Sequence, residues 1–174
     1  PLLIAGALAV KFTSPGPILF RQCRVGQRGE EFELYKFRTL RVNDDSDTTW
    51  SVNDDDRVTR AGRFLRKTSI DEIPQFLNVL RGDMSLVGPR PIRPVFFEEL
   101  AHELPSYWQR LVVRPGLTGF AQVRRGYETS MAEKLSHDLE WVADRSVRLY
   151  LRTIVATGWR VLKQSVSGIF RRRA

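Results

Sequence analysis

Two adjacent carboxylates, Asp71 and Glu72, closely follow two cations, Arg66 and Lys67, in the middle of the sequence. A carboxylate can attack phosphorus when a metal ion or nearby cations screen the repulsion between the two anions. Mg²⁺ suits this task, because proteins often hold it with one or two carboxylates together with the phosphates of a substrate. Phosphoryl transfer is therefore one chemistry that this stretch could perform.

A structural role is the stronger interpretation of the same acids when residue type alone is considered. Ser69 with Glu72 three residues later matches a capping box, and acids are favoured in the first turn of a helix. Pro74 leaves two registers open, since a helix begun at Ile70 would lose a backbone bond there, whereas proline fits the first helical position. In either register the two carboxylates lie beside free backbone N–H groups, where phosphate also binds.

Further cations lie on a predicted strand or where the chain turns: Lys36, Arg38, Arg90, Arg93 and Arg114. Arg90 has a proline on each side, which stiffens its backbone and would give its guanidinium a fixed geometry for holding a diphosphate. Each of these cations, considered by itself, is more simply explained as an exposed surface charge.

The elements that must position these groups are a β-hairpin and several helices, so the predicted fold class is α+β. Apolar patterning predicts strands at residues 18–24 and 32–39 around a turn at residues 26–29. Helices are predicted at residues 61–67, from about Ile73 to a stop at Gly82, at 95–103, at about 107–112, and over most of 130–170. Residues 115–119 and the Asp-rich residues 43–56 are predicted to be loops.

The charge balance indicates a polyanionic neighbour. The chain has 28 Lys and Arg against 20 Asp and Glu, a net charge of +8, and its single cysteine excludes an internal disulfide framework. Eight basic residues and one acidic residue lie between Trp141 and Ala174. A basic amphipathic helix with Trp141, Tyr150 and Trp159 is typical of a membrane interface, although a solvated face with a charged tail explains the same residues equally well.

Two other functions are open at this point. The triplet Asp45-Ser46-Asp47 matches the D-x-D pattern of metal-dependent glycosyltransferases, which release UDP, but the chain lacks the alternating strands and helices of a nucleotide-binding sheet. The second is a non-catalytic basic module on lipid or nucleic acid, which predicts salt-dependent binding of polyanions that is indifferent to Asp71.

Three runs of the sequence closely resemble the bacterial sugar transferase family, the monotopic polyprenol-phosphate phosphoglycosyl transferases. They are YKFRTL at residues 35–40, LRKTSIDEIPQFLNVLRGDMSLVGPRP at 65–91 and RPGLTGFAQV at 114–123. The resemblance implies transfer of a sugar 1-phosphate from a nucleotide diphosphate sugar, usually a UDP-sugar, to undecaprenyl phosphate, with release of UMP. It implies Mg²⁺ as cofactor, membrane lipids as neighbours and no nucleic-acid partner.

The resemblance also gives roles to individual residues. Asp71 is implied to be the nucleophile that forms a phosphosugar intermediate and a ligand of Mg²⁺, while Glu72 accepts the proton of the incoming prenyl phosphate. The residues expected to bind phosphate, nucleotide or other parts of the substrate are Lys36, Arg38, Arg66, Arg90 and Asp138. Family members usually carry a further Asp twelve residues after the acid matched by Asp138, and this chain has Tyr150 there.

The resemblance finally implies a location. The apolar start of the chain, up to Ser14 and Pro15, resembles the end of a re-entrant membrane helix, so residues 1–15 are expected to belong to that helix and 16–174 to the catalytic domain. The expected site of action is the cytoplasmic face of the bacterial inner membrane, with the basic amphipathic C-terminal helical region on the membrane surface. The sugar and the oligomeric state are left open.

Overall fold

A short hairpin is the first sheet of the fold. Strand β1 (Leu19–Val25) pairs with β2 (Glu31–Phe37), and a 3₁₀ turn (Gln27–Gly29) connects them. The turn is closed by the Gly26 N–H, which donates to the Glu30 carbonyl at 2.7 Å, and Gly29 adopts the positive φ that glycine allows. The predicted hairpin is confirmed, with strand ends within two residues of those expected.

The computed structural model describes residues 1–41, 56–125 and 130–170. The chain divides into two compact units. The first unit comprises Pro1–Gln22, Leu34–Leu77 and Val161–Ala174, and the second comprises Cys23–Glu33 and Asn78–Arg160. The mixture of helices and small sheets confirms the α+β class, whereas the boundary at residue 15 stays a prediction.

The first unit is built on a small apolar core. Helices α1 (Leu2–Thr13) and α2 (Arg60–Thr68) and a 3₁₀ segment (Ile70–Gln75) surround the buried side chains of Val10, Phe37 and Leu65. Helix α2 begins at a local signal, because the Thr59 hydroxyl accepts a hydrogen bond from the Gly62 N–H at 2.9 Å. The predicted helix at residues 61–67 is therefore confirmed.

The remaining helices follow α2 along the chain. They are α3 (Phe76–Arg81), α4 (Pro94–Glu103), α5 (Phe120–Arg125), α6 (Met131–Ala143) and α7 (Val147–Phe170), with a 3₁₀ segment at Pro105–Val112. The predicted helix from Ile73 is only partly right, since Ile70–Gln75 forms a 3₁₀ segment containing Pro74 and the α-helix starts at Phe76. It ends before Gly82, whose φ is +86°, as expected for a glycine that terminates a helix.

The second unit contains a parallel strand pair that the sequence analysis did not predict. Strand β3 (Ser85–Val87) pairs with β4 (Gly116–Thr118), and Ser85 aligns with Gly116. Two glycines allow the close approach, because a Cβ on Gly116 would lie 2.1 Å from the backbone nitrogen of Gly88. The predicted loop at residues 115–119 was wrong, since the strands are too short to produce a clear alternating pattern.

The predicted helical region at 130–170 is two helices. Helix α6 ends at Ala143, and α7 is capped by Ser146, whose hydroxyl accepts from the Leu149 N–H at 3.2 Å. On α7, Ile154 is half-buried against the core cluster of Val87, Val113 and Trp141, whereas Leu151 and Val155 are exposed. Among the described residues, no helix is both long enough and apolar enough to span a bilayer.

Candidate active site

Asp71 and Glu72 occupy the first turn of the Ile70–Gln75 segment, immediately after a sharp reversal of the chain. The reversal is made at Ser69, which adopts the left-handed conformation with φ +56°, an unfavourable region for a residue other than glycine. Ser69 makes no side-chain capping bond, so the predicted capping box with Glu72 is wrong. The structural explanation that competed with a chemical role for these acids therefore loses its main support.

Glu72 is instead paired with a cation from the hairpin. The Lys36 Nζ atom on β2 lies 2.7 Å from Glu72 Oε1, and the two side chains are only 18% and 24% exposed. Partial burial excludes some of the water that weakens surface ion pairs, so this pair holds the acidic turn against the strand. Two of the predicted site residues, separated by 36 positions in sequence, are thus in direct contact.

Asp71 is held by its neighbours in the chain as well as by its own burial. Its residue surface is only 8% exposed, and the preceding Ile70 packs against the core of Val10, Phe37 and Leu65. The backbone that carries the carboxylate is therefore fixed by apolar packing on one side and by the Ser69 reversal on the other. A carboxylate with little freedom to reorient is suited to attack at a fixed position.

Arg66 is positioned by the end of β2. Its Nε donates to the Thr39 hydroxyl at 2.9 Å, and the Thr39 carbonyl accepts from the Thr59 N–H at 3.0 Å. Helix α2 approaches the segment after β2 so closely that a Cβ on Gly62 would lie 2.1 Å from the Thr39 carbonyl oxygen. The glycine thus permits the contact that brings Arg66 to Thr39.

Arg38 is buried, and its guanidinium donates to three carbonyls in the segment after α1. Nε bonds to Pro17 at 2.7 Å, Nη1 to Pro15 at 2.7 Å and Nη2 to Ser14 at 2.9 Å. These hydrogen bonds hold the segment that follows α1 against the residue that follows β2, so Arg38 has a positioning role. Direct contact of Arg38 with a substrate stays a prediction.

The other two predicted substrate-binding residues, Arg90 and Asp138, belong to the second unit. Both are linked to Arg110, because its Nη2 donates to the Arg90 carbonyl at 3.0 Å and to Asp138 Oδ2 at 2.6 Å. Arg110 and Asp138 are each 5% exposed, so this is a buried ion pair. Burial raises the pKa of Asp138 above its ordinary value, and the positive charge of Arg110 opposes that rise.

Sequence reasoning missed Arg110 and its neighbour Tyr107. Arg110 Nη1 donates to the Tyr107 hydroxyl at 2.8 Å, and its guanidinium lies 4.9 Å from the centre of the Tyr107 ring. Burial of the phenol raises the pKa of Tyr107 to about 12, although the charge of Arg110 lowers it. The spacing of three residues between an aromatic ring and a cation was the available signal.

Tyr150, at the position where the resemblance implied an acid, is half-buried in the second unit. Its ring packs against the core of Val87, Val113 and Trp141, and its hydroxyl lies 3.2 Å from the Ser85 Oγ atom. The tyrosine therefore fills apolar space and keeps a polar partner.

The expected Mg²⁺ cofactor stays a prediction. Among the described residues, no cluster of three or more His, Cys, Asp or Glu is placed to hold a metal ion. The resemblance implies Asp71 as the ligand, and Mg²⁺ can be held by one carboxylate together with water and substrate phosphates. The alternative metal motif, Asp45 and Asp47, lies outside the described residues.

The chain matches the model of one protein family, described as bacterial sugar transferase, over residues 1–164. It is 48% identical to the UDP-glucose:undecaprenyl-phosphate glucose-1-phosphate transferase of Caulobacter vibrioides, over 88% of this chain and 61% of the relative. It is 45% identical to a protein of the same name from Xanthomonas campestris pv. campestris, over 96% of this chain and 36% of the relative.

A third relative is named for another sugar. The UDP-N-acetylgalactosamine-undecaprenyl-phosphate N-acetylgalactosaminephosphotransferase of Aeromonas hydrophila is 42% identical, over 90% of this chain and 38% of the relative. The chain thus spans between about a third and about three fifths of the length of these relatives.

Proposed function

The chain belongs to the bacterial sugar transferase family, and on this premise we propose that it transfers a sugar 1-phosphate from a UDP-sugar to undecaprenyl phosphate and releases UMP. The observation that carries the proposal is the acidic turn at Asp71 and Glu72, where one acid is nearly buried and the other is paired with Lys36 at 2.7 Å. This reaction would begin the assembly of a bacterial glycan on its lipid carrier.

In the first step, a carboxylate oxygen of Asp71 attacks the phosphorus that carries the sugar. A bond forms between that oxygen and phosphorus, and the bond from phosphorus to the bridging oxygen breaks. UMP leaves with the bridging oxygen and its electron pair. The product is an acyl phosphate that joins Asp71 to the sugar through phosphorus.

In the second step, an oxygen of undecaprenyl phosphate attacks the same phosphorus. The Asp71 carboxylate leaves with the electron pair of its bond, and undecaprenyl diphosphate sugar is formed. Glu72 accepts the proton of the attacking phosphate, a role for which it must be ionised. Lys36 supports this state, because its ammonium group stabilises the Glu72 carboxylate.

The cations of the first unit would neutralise the donor. Phosphoryl transfer demands little covalent chemistry beyond the nucleophile, and it depends mainly on positioned positive charge. Arg66, which Thr39 holds on α2, would bind a phosphate of the donor. Mg²⁺, when bound by Asp71 and the donor phosphates, would supply further neutralisation of the diphosphate.

Exposed apolar side chains support a membrane-surface location. On α7 they recur every three or four residues, at Val147, Leu151, Val155, Trp159, Leu162 and Val166. Arg148 and Arg152, which are also exposed, add positive charge beside this row. A helix with this pattern binds the headgroup region of anionic lipid, where the prenyl acceptor resides. Exposed Leu3, Ile4 and Phe12 on α1 favour the same surroundings.

The proposal is tested by UMP release from UDP-sugar in detergent, with undecaprenyl phosphate and Mg²⁺ present. Asp71→Asn should abolish release, because an amide is not a nucleophile toward phosphorus. Asp144→Asn is the matched control, since Asp144 is an exposed acid at the end of α6. A panel of UDP-glucose, UDP-galactose and UDP-N-acetylgalactosamine would identify the sugar.

The covalent step has its own measurement. Protein treated with donor alone and quenched in acid should carry a sugar phosphate on the peptide that contains Asp71, as detected by mass spectrometry. Glu72→Gln should keep this adduct and slow its transfer to the prenyl phosphate. Release of UDP in place of UMP, or full turnover by Asp71→Asn, would refute the proposal.

A further inference from the structure

The segment that carries Arg90 is held by hydrogen bonds to four successive carbonyls. Pro89 O accepts from the Gly116 N–H at 2.9 Å, Arg90 O from Arg110 Nη2 at 3.0 Å, Pro91 O from Arg24 Nη1 at 3.1 Å, and Ile92 O from the Val25 N–H at 2.9 Å. The donors come from the hairpin, from β4 and from the Pro105–Val112 segment. Because all four donors lie outside the segment, these bonds fix where the segment lies relative to those elements.

The sequence makes the segment dependent on these donors. Pro89 and Pro91 have no N–H groups, so neither residue can donate a backbone hydrogen bond that would hold the segment. Both prolines are buried, while Arg90 between them is partly exposed. The bonds to the backbone of this segment therefore fix the position from which the Arg90 side chain extends.

Arg110 is the donor at that point, and it depends on Asp138. Arg110 is 5% exposed. Among the described residues its guanidinium donates to the Asp138 carboxylate, to the Arg90 carbonyl and to the neutral Tyr107 hydroxyl. A guanidinium buried among neutral acceptors would be poorly stabilised, so the Asp138 carboxylate supplies the compensating charge. A single nitrogen, Nη2, joins Asp138 to the backbone of Arg90.

We propose that Arg110 and Asp138 are positioning residues that set the affinity for the nucleotide-sugar donor by fixing the backbone of Arg90, without contact to the donor. The inference rests on the proposed function and on the role that the resemblance implies for Arg90, which is to bind phosphate or the nucleotide. Asp138 thus acts through Arg110 rather than as a substrate ligand.

The test is a double-mutant cycle on donor KM, with Asp138→Asn, Arg90→Ala and the double variant. Arg90→Ala should raise the KM for UDP-sugar. Asp138→Asn should raise it about tenfold and leave the KM for undecaprenyl phosphate unchanged. In the Arg90→Ala background, Asp138→Asn should have no further effect on donor KM, although it should still lower the melting temperature. Glu140→Gln is the control, because Glu140 lies on the same helix but pairs with Arg124.

Arg110→Lys provides a second variant that keeps a buried cation beside Asp138 but loses the planar fork. It should raise donor KM as Asp138→Asn does, and Asp138→Glu should restore part of the affinity. The inference would be overturned if Asp138→Asn lowered kcat and left donor KM unchanged. It would also be overturned if the effects of Asp138→Asn and Arg90→Ala on donor KM simply multiplied. In both cases UMP release by the parent protein would leave the proposed function standing. Absence of UMP release in the parent protein would instead overturn both.

Discussion

Gly62 and Gly158 are both helical glycines without a positive φ, yet alanine should have opposite effects at the two positions. At Gly158 a new Cβ would meet no heavy atom within 4 Å. Alanine there should stabilise the protein by about 1 kcal/mol, the ordinary difference in helix propensity. For a chain of this size that corresponds to a rise in melting temperature of about 2–4 °C.

At Gly62 the same methyl group would lie 2.1 Å from the Thr39 carbonyl oxygen and within 2.8 Å of two more backbone atoms. Contacts below 3.0 Å are not tolerated, so α2 must move away by about 1 Å. That shift would stretch two bonds now at 2.9 Å, from the Gly62 N–H to the Thr59 hydroxyl and from Arg66 to Thr39. Overpacking of about 1–3 kcal/mol and a lost cap of about 1 kcal/mol exceed the gain in propensity.

Thermal unfolding and UMP release together test this reasoning. Gly62→Ala should lower the melting temperature by about 2–12 °C, which is about 1–3 kcal/mol at 2–4 °C each. It should also lower turnover, because Arg66 moves with α2. Gly158→Ala should raise the melting temperature. If Gly62→Ala were as stable as Gly158→Ala, the close approach of α2 to the backbone of Thr39 would be wrong.

Three further predictions concern the charged groups. Lys36→Met should reduce turnover, measured as UMP release, about 100-fold, because Glu72 loses its partner. Lys67→Met is the control and should change turnover little, since Lys67 is an exposed cation of α2. Arg38→Lys should lower the free energy of unfolding in urea by at least about 1.5 kcal/mol, since lysine cannot reach three carbonyls, and an unchanged value would contradict the clamp. In the folded protein the pKa of Tyr107 is raised to about 12, whereas the unfolded tyrosine ionises near pH 10. The free energy of unfolding should therefore fall by up to about 2.7 kcal/mol between pH 10 and pH 12. Tyr107→Phe should make this decline shallower.

Local signals explain the parts of the fold that the sequence predicted. The hairpin has a short glycine-containing turn, α2 has a threonine cap, and the end at Gly82 has a glycine with positive φ. Each of these features is decided within a few residues of the chain, so patterning and turn chemistry are sufficient to find it.

Long-range contacts explain what the sequence did not predict. Strands β3 and β4 have three residues each and pair across about 30 positions, so neither has a recognisable period. The partners of Arg110 at Arg90 and Asp138 lie 20 and 28 positions away. The strand pair had one signal in the sequence, which was Gly88 and Gly116, because glycine often marks a place where another backbone approaches closely.

The acidic turn combines both kinds of information. The resemblance singled out Asp71 and Glu72, whereas residue types alone favoured a capping box, which the structure excludes. A capping box would have placed Ser69 in extended backbone with its hydroxyl on the helix. Instead Ser69 has φ +56° and no capping bond, so the turn bears conformational strain of order 1 kcal/mol. That strain is offset by Ile70 in the apolar core and by Lys36 on Glu72, which means that the contacts stabilising the turn are the same ones that fix its two carboxylates.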